Sequence, residues 1–134
     1  MKVLKIVWLV IFIGLGCLLS GCSETKVDQH FRQGYEYHQQ GKLEEAIAEY
    51  QKVIEIDSNY SPAHYNLGNI YRDRGKLDDA VASYQKVIEI DPNFTSAHFG
   101  LGNVYFQQGK LDDAVVSFQK VVEIDPNNLL GNFF

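Results

Sequence analysis

The chain has 134 residues, a formal net charge of −5, 46% hydrophobic residues and 22% charged residues. A chain of this length holds about one domain, and the composition is that of a globular protein and not a disordered one. The acidic balance argues against a nucleic-acid-binding protein, which usually carries a basic surface. Its two Cys residues are too few for a disulfide framework or a zinc site made of four Cys.

The N-terminus has the pattern of a signal peptide. Lys2 and Lys5 come first, and the segment Ile6–Leu19 consists of apolar and Gly residues. This run is shorter than the roughly 20 residues that span a membrane, and it fits the core of about 7–15 residues that a secretory signal carries. It ends in Leu-Ser-Gly-Cys, residues 19–22, which resembles the bacterial lipobox, where a signal peptidase cuts before the Cys.

The lipobox resemblance implies that residues 1–21 are a lipoprotein signal peptide and that Cys22 carries a thioether-linked diacylglycerol. Two or three acyl chains anchor a protein stably in a membrane, whereas a single chain binds only marginally. Cys17 would leave with the signal peptide. The implied location is the cell envelope, and Ser23 after the lipidated Cys implies the outer membrane, facing the periplasm, if the source is Gram-negative. An ordinary secretory signal or an uncleaved anchor are the alternatives.

The rest of the chain is organised by a repeat of 34 residues. A Gly-Lys-Leu triplet begins at Gly41, Gly75 and Gly109, and residues 61–94 share 22 of 34 positions with residues 95–128. Self-similarity of this kind indicates a repeat architecture. We therefore divide the chain into a signal peptide, a lipid-anchored linker, three units and a short apolar C-terminal tail: 1–21, 22–26, 27–60, 61–94, 95–128 and 129–134.

Each unit is expected to form two amphipathic helices. In the second unit Ser61-Pro62 predicts a helix start, with Ser as the cap and Pro at the first helical position. Gly75 is expected to end that helix, and Asp78 and Asp79 lie early in the next one, where the helix dipole favours acids. Asp91-Pro92 is expected to end the second helix, because a residue before proline avoids the helical conformation.

A 34-residue helix–turn–helix with these residues resembles the tetratricopeptide repeat (TPR). When Val27, Ser61 and Thr95 are counted as position 1, the family's residues at positions 8, 11, 20 and 24 recur in every unit. They are Gly34, Gly68 and Gly102; Tyr37, Tyr71 and Tyr105; Ala46, Ala80 and Ala114; and Tyr50, Tyr84 and Phe118. The resemblance implies an all-α fold, a right-handed α-solenoid of three TPR units whose first helices line a concave groove.

The family pattern places positions 2, 5, 9, 12 and 13 of each unit in that groove. Positions 5, 9 and 12 carry the candidate binding residues Phe31, Tyr35 and His38; Tyr65, Asn69 and Arg72; and Phe99, Asn103 and Phe106. Position 13 adds Gln39, Asp73 and Gln107. Asn offers a donor and an acceptor to the backbone of an extended peptide, and aromatic side chains supply contact area. The resemblance therefore implies a protein or peptide partner of moderately apolar character. Positions 2 and 5 lack the Lys and Arg with which some TPR domains clamp acidic C-termini. The alternative is that the aromatic residues only pack on each other.

Other candidate chemistry is weaker. His30, His64 and His98 recur at position 4, but helices pack about 8–10 Å apart while zinc needs ligands at about 2 Å. We interpret these three as structural, and the recurring Asp pairs as acids at helix starts. The sequence shows no Ser/His/Asp arrangement, phosphate-binding loop or metal motif. We therefore expect no enzyme and, apart from the covalent lipid, no cofactor or metal.

The function expected from these patterns is a membrane-anchored TPR lipoprotein, a scaffold or adaptor for proteins at the bacterial cell envelope. The alternative is an accessory subunit, or a remnant, of a larger TPR-containing enzyme or of a secretion or pilus assembly system. The apolar tail 129–134 leaves three possibilities. It folds back over the last helix, the C-terminal edge self-associates with another copy, or the chain is a truncated form of a longer array.

Overall fold

A computed structural model describes residues 24–127, which form six α-helices and no other regular element. The signal peptide, Cys22 and the tail 129–134 fall outside these residues. The helices pair within each unit, and the units stack in chain order, so the predicted all-α solenoid is confirmed.

The helices are α1 (Lys26–Gln39), α2 (Leu43–Ile56), α3 (Ser61–Asp73), α4 (Leu77–Ile90), α5 (Thr95–Gln107) and α6 (Leu111–Ile124). Within the described range no helix is both long and apolar enough to cross a bilayer.

The turn inside each unit depends on glycine. Gly41, Gly75 and Gly109 have φ of 73°, 72° and 75°, a left-handed conformation that costs other residues energy. In the first of these turns the amide of Gly41 donates to the carbonyl of His38 at 3.0 Å, and the amide of Lys42 donates to that of Tyr37 at 2.9 Å. These bonds satisfy the last carbonyls of the helix and reverse the chain. The predicted helix end at Gly75 is confirmed.

The turn between units depends on aspartate. Asp57, Asp91 and Asp125 follow the last residues of α2, α4 and α6, and each carboxylate accepts the amide two residues on, at 3.0, 3.0 and 3.2 Å. The predicted helix end at Asp91 is confirmed. Asp57 has the same backbone conformation as Asp91, although Ser58 and not Pro follows it. The aspartate turn therefore suffices to end the helix, and proline is an addition.

The predicted start of α3 needs a correction. Ser61 is the first helical residue and makes no capping bond, because the cap position belongs to Tyr60. The Tyr60 ring packs edge-on against Phe31 of the same unit at 5.2 Å, so this position serves packing and not capping. A side-chain cap occurs at α1 instead. There the Thr25 hydroxyl accepts the amide of Asp28 at 3.1 Å, and the Asp28 carboxylate accepts the amide of Thr25 at 3.2 Å.

The hydrophobic core runs across the boundaries between units. One cluster joins Ala46, Ile47, Tyr50 and Val53 of α2 to Ala63, Leu67 and Ile70 of α3, and a second joins Ala80, Tyr84 and Val87 of α4 to Ala97, Leu101 and Val104 of α5. The second helix of each of these units is thus covered by the first helix of the next. The stack is held by contacts between neighbours, as repeat proteins are.

Candidate partner-binding groove

The predicted groove residues lie on the first helices, α1, α3 and α5. Positions 5, 9 and 12 are spaced i, i+4 and i+7, which places them on one face of a helix. Although α3 and α5 are not consecutive in the chain, they contact each other directly. The first helices of the second and third units therefore form one continuous surface, as the family pattern predicts.

The aromatic residues at position 5 differ in how far they are covered. The Phe31 ring lies 5.7 Å from Tyr50 and 5.2 Å from Tyr60, and Tyr65 lies between Tyr84 and Phe94 in the same way. Phe99 packs against Phe118 at 5.7 Å and remains 51% exposed. Phe31 and Tyr65 are therefore largely packing residues, as the alternative interpretation expects, whereas about half of the Phe99 side chain remains accessible.

The residues at position 9 depend on the aromatic at position 24 of the same unit. The buried hydroxyl of Tyr84 donates to Asn69 Oδ1 at 2.6 Å, so this amide oxygen is already used inside the protein. In the third unit the corresponding aromatic is Phe118, which has no hydroxyl, and no side-chain bond of Asn103 is found within residues 24–127. Asn103 can therefore offer its whole amide to a ligand.

The first unit has a third combination at these positions. Tyr35 replaces Asn, and the Tyr50 hydroxyl, although buried, has no hydrogen-bond partner among the described residues. Burial raises the pKa of Tyr50 to about 12, with a smaller contribution from Tyr35, and burial likewise raises that of Tyr84 to about 12. Burial thus disfavours the phenolate form of both side chains.

Position 12 carries three different chemistries. His38 is half-buried, Arg72 is bound to a neighbouring acid, and Phe106 is 64% exposed. The Arg72 guanidinium donates to Asp73 Oδ1 through Nε at 3.0 Å and Nη2 at 2.8 Å. Partial burial lowers the pKa of Arg72, but its bond to Asp73 and the nearby phenols outweigh this effect, so the net shift is upward. The cation of the middle helix is thus neutralised inside the groove.

Exposed aromatic groups remain at Tyr35 in the first unit, which is 50% exposed, and at two positions of the third unit. Phe99, Asn103 and Phe106 lie on one face of α5, where two exposed rings flank an amide that makes no internal side-chain bond. The repeat pattern makes the nine positions equivalent and does not reveal the Tyr84–Asn69 and Arg72–Asp73 bonds. The differences between units at positions 9 and 24 were the available signal for the first bond.

The recurring histidines have structural contacts. His64 Nε2 lies 3.0 Å from the carbonyl oxygen of Ser58, and His98 Nε2 lies 2.8 Å from that of Pro92. A carbonyl only accepts, so each imidazole donates from Nε2 to the preceding turn. His30, in the first unit, instead contacts Glu49 at 2.6 Å. Burial raises the pKa of Glu49, but hydrogen bonds from Lys52 and His30 outweigh it and the net shift is downward.

Comparison with solved structures places this fold among known proteins. A crystal structure of MamA superposes with a TM-score of 0.74 at 29% identity, over 80% of this chain and 63% of the MamA chain. The first TPR of Spaghetti (RPAP3), bound to the HSP90 peptide SRMEEVD, matches with a TM-score of 0.74 at 26% identity, over 79% of this chain and 84% of that one. This chain thus spans less than two thirds of the MamA chain. No curated protein is similar enough in sequence to count as a relative.

Family models cover the same units. A model described as TPR repeat matches residues 34–72 and 68–109, and one described as Tetratricopeptide repeat matches residues 95–128. Together these ranges include the three glycine turns and all three position-24 aromatics. The chain belongs to the tetratricopeptide repeat family.

Proposed function

We propose that this protein is a TPR scaffold that holds a peptide or protein partner in its groove and is tethered to the bacterial cell envelope by a lipid on Cys22. The observation that carries the binding role is the face formed by Phe99, Asn103 and Phe106. Its two exposed rings and its amide suit an extended peptide with apolar side chains. The similarity to the first TPR of Spaghetti, whose structure contains a bound peptide, supports this role.

The binding role is tested with a random peptide library selected on the full-length chain in mild detergent. We expect selected peptides to be rich in apolar residues and to lose at least about tenfold in affinity with Phe106→Ala or Asn103→Ala. Val116→Ala is the matched control, because Val116 is also 64% exposed but lies on a second helix, α6. Equal losses in all three variants would refute the groove. Tyr65 and Asn69 are poorer test positions, because both contact Tyr84.

The acidic peptide SRMEEVD serves as a comparison ligand. Asp73 neutralises Arg72, and the other position-12 side chains are His38 and Phe106. We therefore expect SRMEEVD to bind at least about tenfold more weakly than the best apolar library peptide. Tight and salt-sensitive binding of SRMEEVD would show instead that the groove recognises acidic tails.

The anchor is tested by feeding expressing bacteria an alkyne fatty acid and measuring its incorporation into the chain. We expect Cys22→Ala to abolish labelling, since the thiol that accepts the lipid is lost. Cys17→Ala is the matched control and should leave labelling intact, because the proposed signal peptide carries Cys17 away. Labelling that persists in Cys22→Ala would exclude lipidation at this residue.

A further inference from the structure

The last helix, α6, has an apolar face that is open in the described structure. Position 21 shows this most clearly, because its exposure rises along the stack. Ile47 in the first unit is 9% exposed and Val81 is partly buried, but Val115 in the third unit is 53% exposed. Position 28 follows the same trend, from half-buried Ile54 and Ile88 to exposed Val122.

These residues line a cavity of about 290 Å³ at the C-terminal end of the stack. We call this surface the C-terminal face, and its lining residues are Phe99, Val115, Phe118, Gln119, Val121 and Val122. Apart from the Gln119 amide, these side chains are aliphatic or aromatic. An apolar surface of this kind is typical of an interaction site.

The other two units show what covers the equivalent surface. On α2 it is covered by Tyr60, Ala63, Leu67 and Ile70, and on α4 by Phe94, Ala97, Leu101 and Val104. Both sets have the same spacing, which is centred on a small residue, Ala. An aromatic residue lies three residues before the Ala, a Leu lies four residues after it, and a β-branched residue lies seven residues after it. The aromatic rests on the position-5 ring, and Phe99 is the exposed ring of that type.

A second copy of the chain does not supply this pattern. Its helices α3 and α5 are already packed within their own stack, so a head-to-tail contact would have to use α1. A face-to-face contact would use a second α6, which does not carry the aromatic, small, Leu and β-branched spacing. At the matching positions α1 carries Gln29, Gln33 and Glu36 in place of the small residue, Leu and Ile or Val. Docking α1 would bury an unpaired carboxylate against valines, which is costly. Residues 128–134 also lack the spacing.

We infer that the C-terminal face binds an amphipathic helix of a partner protein, one that carries an aromatic, a small residue, Leu and a β-branched residue at i−3, i, i+4 and i+7. This site shares Phe99 with the groove but otherwise consists of residues of α6. Its ligand is a helix, whereas the ligand proposed for the groove is an extended peptide. The helix binds as a further layer of the stack, in the position that α3 takes on α2. Its aromatic covers Phe99, and its Leu and β-branched residue cover Val115 and Val122.

The probe for this site is a fluorescent peptide with the sequence of residues 59–74, which contains Tyr60, Ala63, Leu67 and Ile70. It is titrated against the full-length chain in mild detergent, and fluorescence anisotropy reports binding. We expect saturable binding that falls at least about tenfold with Val115→Asp or Val122→Asp, since each places an unpaired charge under the helix. The same peptide with Leu67→Asp should not bind.

The matched control is Ile56→Asp, because Ile56 is 51% exposed but lies on the first unit. The affinity of the Ile56→Asp variant for the 59–74 peptide should stay within about twofold of that of the unchanged chain. The Phe106→Ala variant should also bind the peptide with unchanged affinity, and this result would separate the C-terminal face from the groove. If an Asp variant loses its helical circular dichroism, Val115→Ser takes its place. Absence of saturable binding up to about 1 mM, or an equal loss with Ile56→Asp, would overturn the inference. So would a dimer that Val115→Asp dissociates, because a second copy would then cover the face.

Discussion

At the scale of single residues, the three units differ in the hydrogen bond made by the side chain at position 24. The position-24 ring packs against its unit's position-8 glycine in every unit, but the polar group on the ring differs. Tyr84 bonds to Asn69, Tyr50 has a buried hydroxyl without a partner, and Phe118 has no hydroxyl. A buried hydroxyl is favourable only when it is bonded, so the same ring has three different energetic outcomes.

This difference predicts opposite effects of two identical substitutions. Tyr84→Phe removes a bonded hydroxyl and leaves Asn69 Oδ1 without its donor, so we expect the free energy of unfolding to fall by about 1 kcal/mol. Tyr50→Phe removes an unbonded buried hydroxyl, so stability should stay constant or rise by up to about 1 kcal/mol. Urea unfolding followed by circular dichroism measures both. A clear loss in Tyr50→Phe would show that its hydroxyl has a partner.

The same tyrosines predict how stability depends on alkaline pH. The folded-state pKa of each is about 12, above the ordinary value of 10.0, because burial disfavours the phenolate. The folded chain therefore holds these protons more tightly than the unfolded chain does. Their contribution is complete below pH 10 and is lost as the pH rises towards 12, which amounts to roughly 2 kcal/mol for each group. Urea unfolding at pH 9 to 11.5 should show a falling midpoint, and Tyr50→Phe should make the decline shallower. An equal slope in that variant would contradict the shifted pKa.

At the scale of helices, two close approaches position α5. A Cβ on Gly102 would lie 2.7 Å from Phe118 Cε1, and one on Gly100 would lie 2.7 Å from Tyr84 Cζ. Gly102 holds the family's small position and packs within its unit. Gly100 packs across the boundary, where the other units carry Arg32 and Asn66 at this position. The boundary between the second and third units thus has a close contact of its own, on the helix that carries Phe99, Asn103 and Phe106.

We therefore expect Gly100→Ala to be as harmful as Gly102→Ala. Alanine favours the helix by about 1 kcal/mol over glycine, but the overpacked methyl group costs about 1–3 kcal/mol and should prevail. Thermal unfolding should show a lower midpoint for both variants. Ser96→Ala is the control on the same helix, where the side chain is exposed and the midpoint should hold or rise slightly. A higher midpoint for Gly100→Ala would mean that helix propensity outweighs the contact.

Helix positions were the part of the fold that the sequence predicted well. Glycines and aspartates recur every 34 residues. The glycines act through their own backbone conformation and the aspartate carboxylates accept the amide two residues on, so local pattern was sufficient. The contacts that separate one unit from another were not predictable in this way. The Tyr84–Asn69 bond joins residues 15 apart, and Gly100 meets Tyr84 across a boundary. The family's average pattern treats such positions as equivalent, so it predicts a uniform groove, whereas the exposure and bonding of these side chains differ from unit to unit.

At the scale of the whole molecule, the two ends of the stack differ in polarity. On α1 the outward positions are Gln29, Gln33 and Glu36, which can face water. On α6 the outward positions include Val115 and Val122, which are exposed and apolar. Stability in a repeat protein is approximately the sum of each unit and its contacts with neighbours. Among the described helices α6 is packed against α5, whereas α2 and α4 each have a covering helix on both sides.

This difference predicts a gradient of local stability that hydrogen exchange can measure. Val53, Val87 and Val121 occupy the same repeat position on α2, α4 and α6, and all three are buried, so they are matched probes. Opening α6 disrupts contacts with one neighbouring helix, while opening α4 disrupts contacts with two, so the Val121 amide should exchange at least about tenfold faster than that of Val87. Adding the 59–74 peptide should slow exchange at Val121 without changing Val53, because a helix bound at the C-terminal face gives α6 its second neighbour. Protection of Val121 equal to that of Val87 before the peptide is added would show that α6 is already covered, and the C-terminal face would then not be open to a partner.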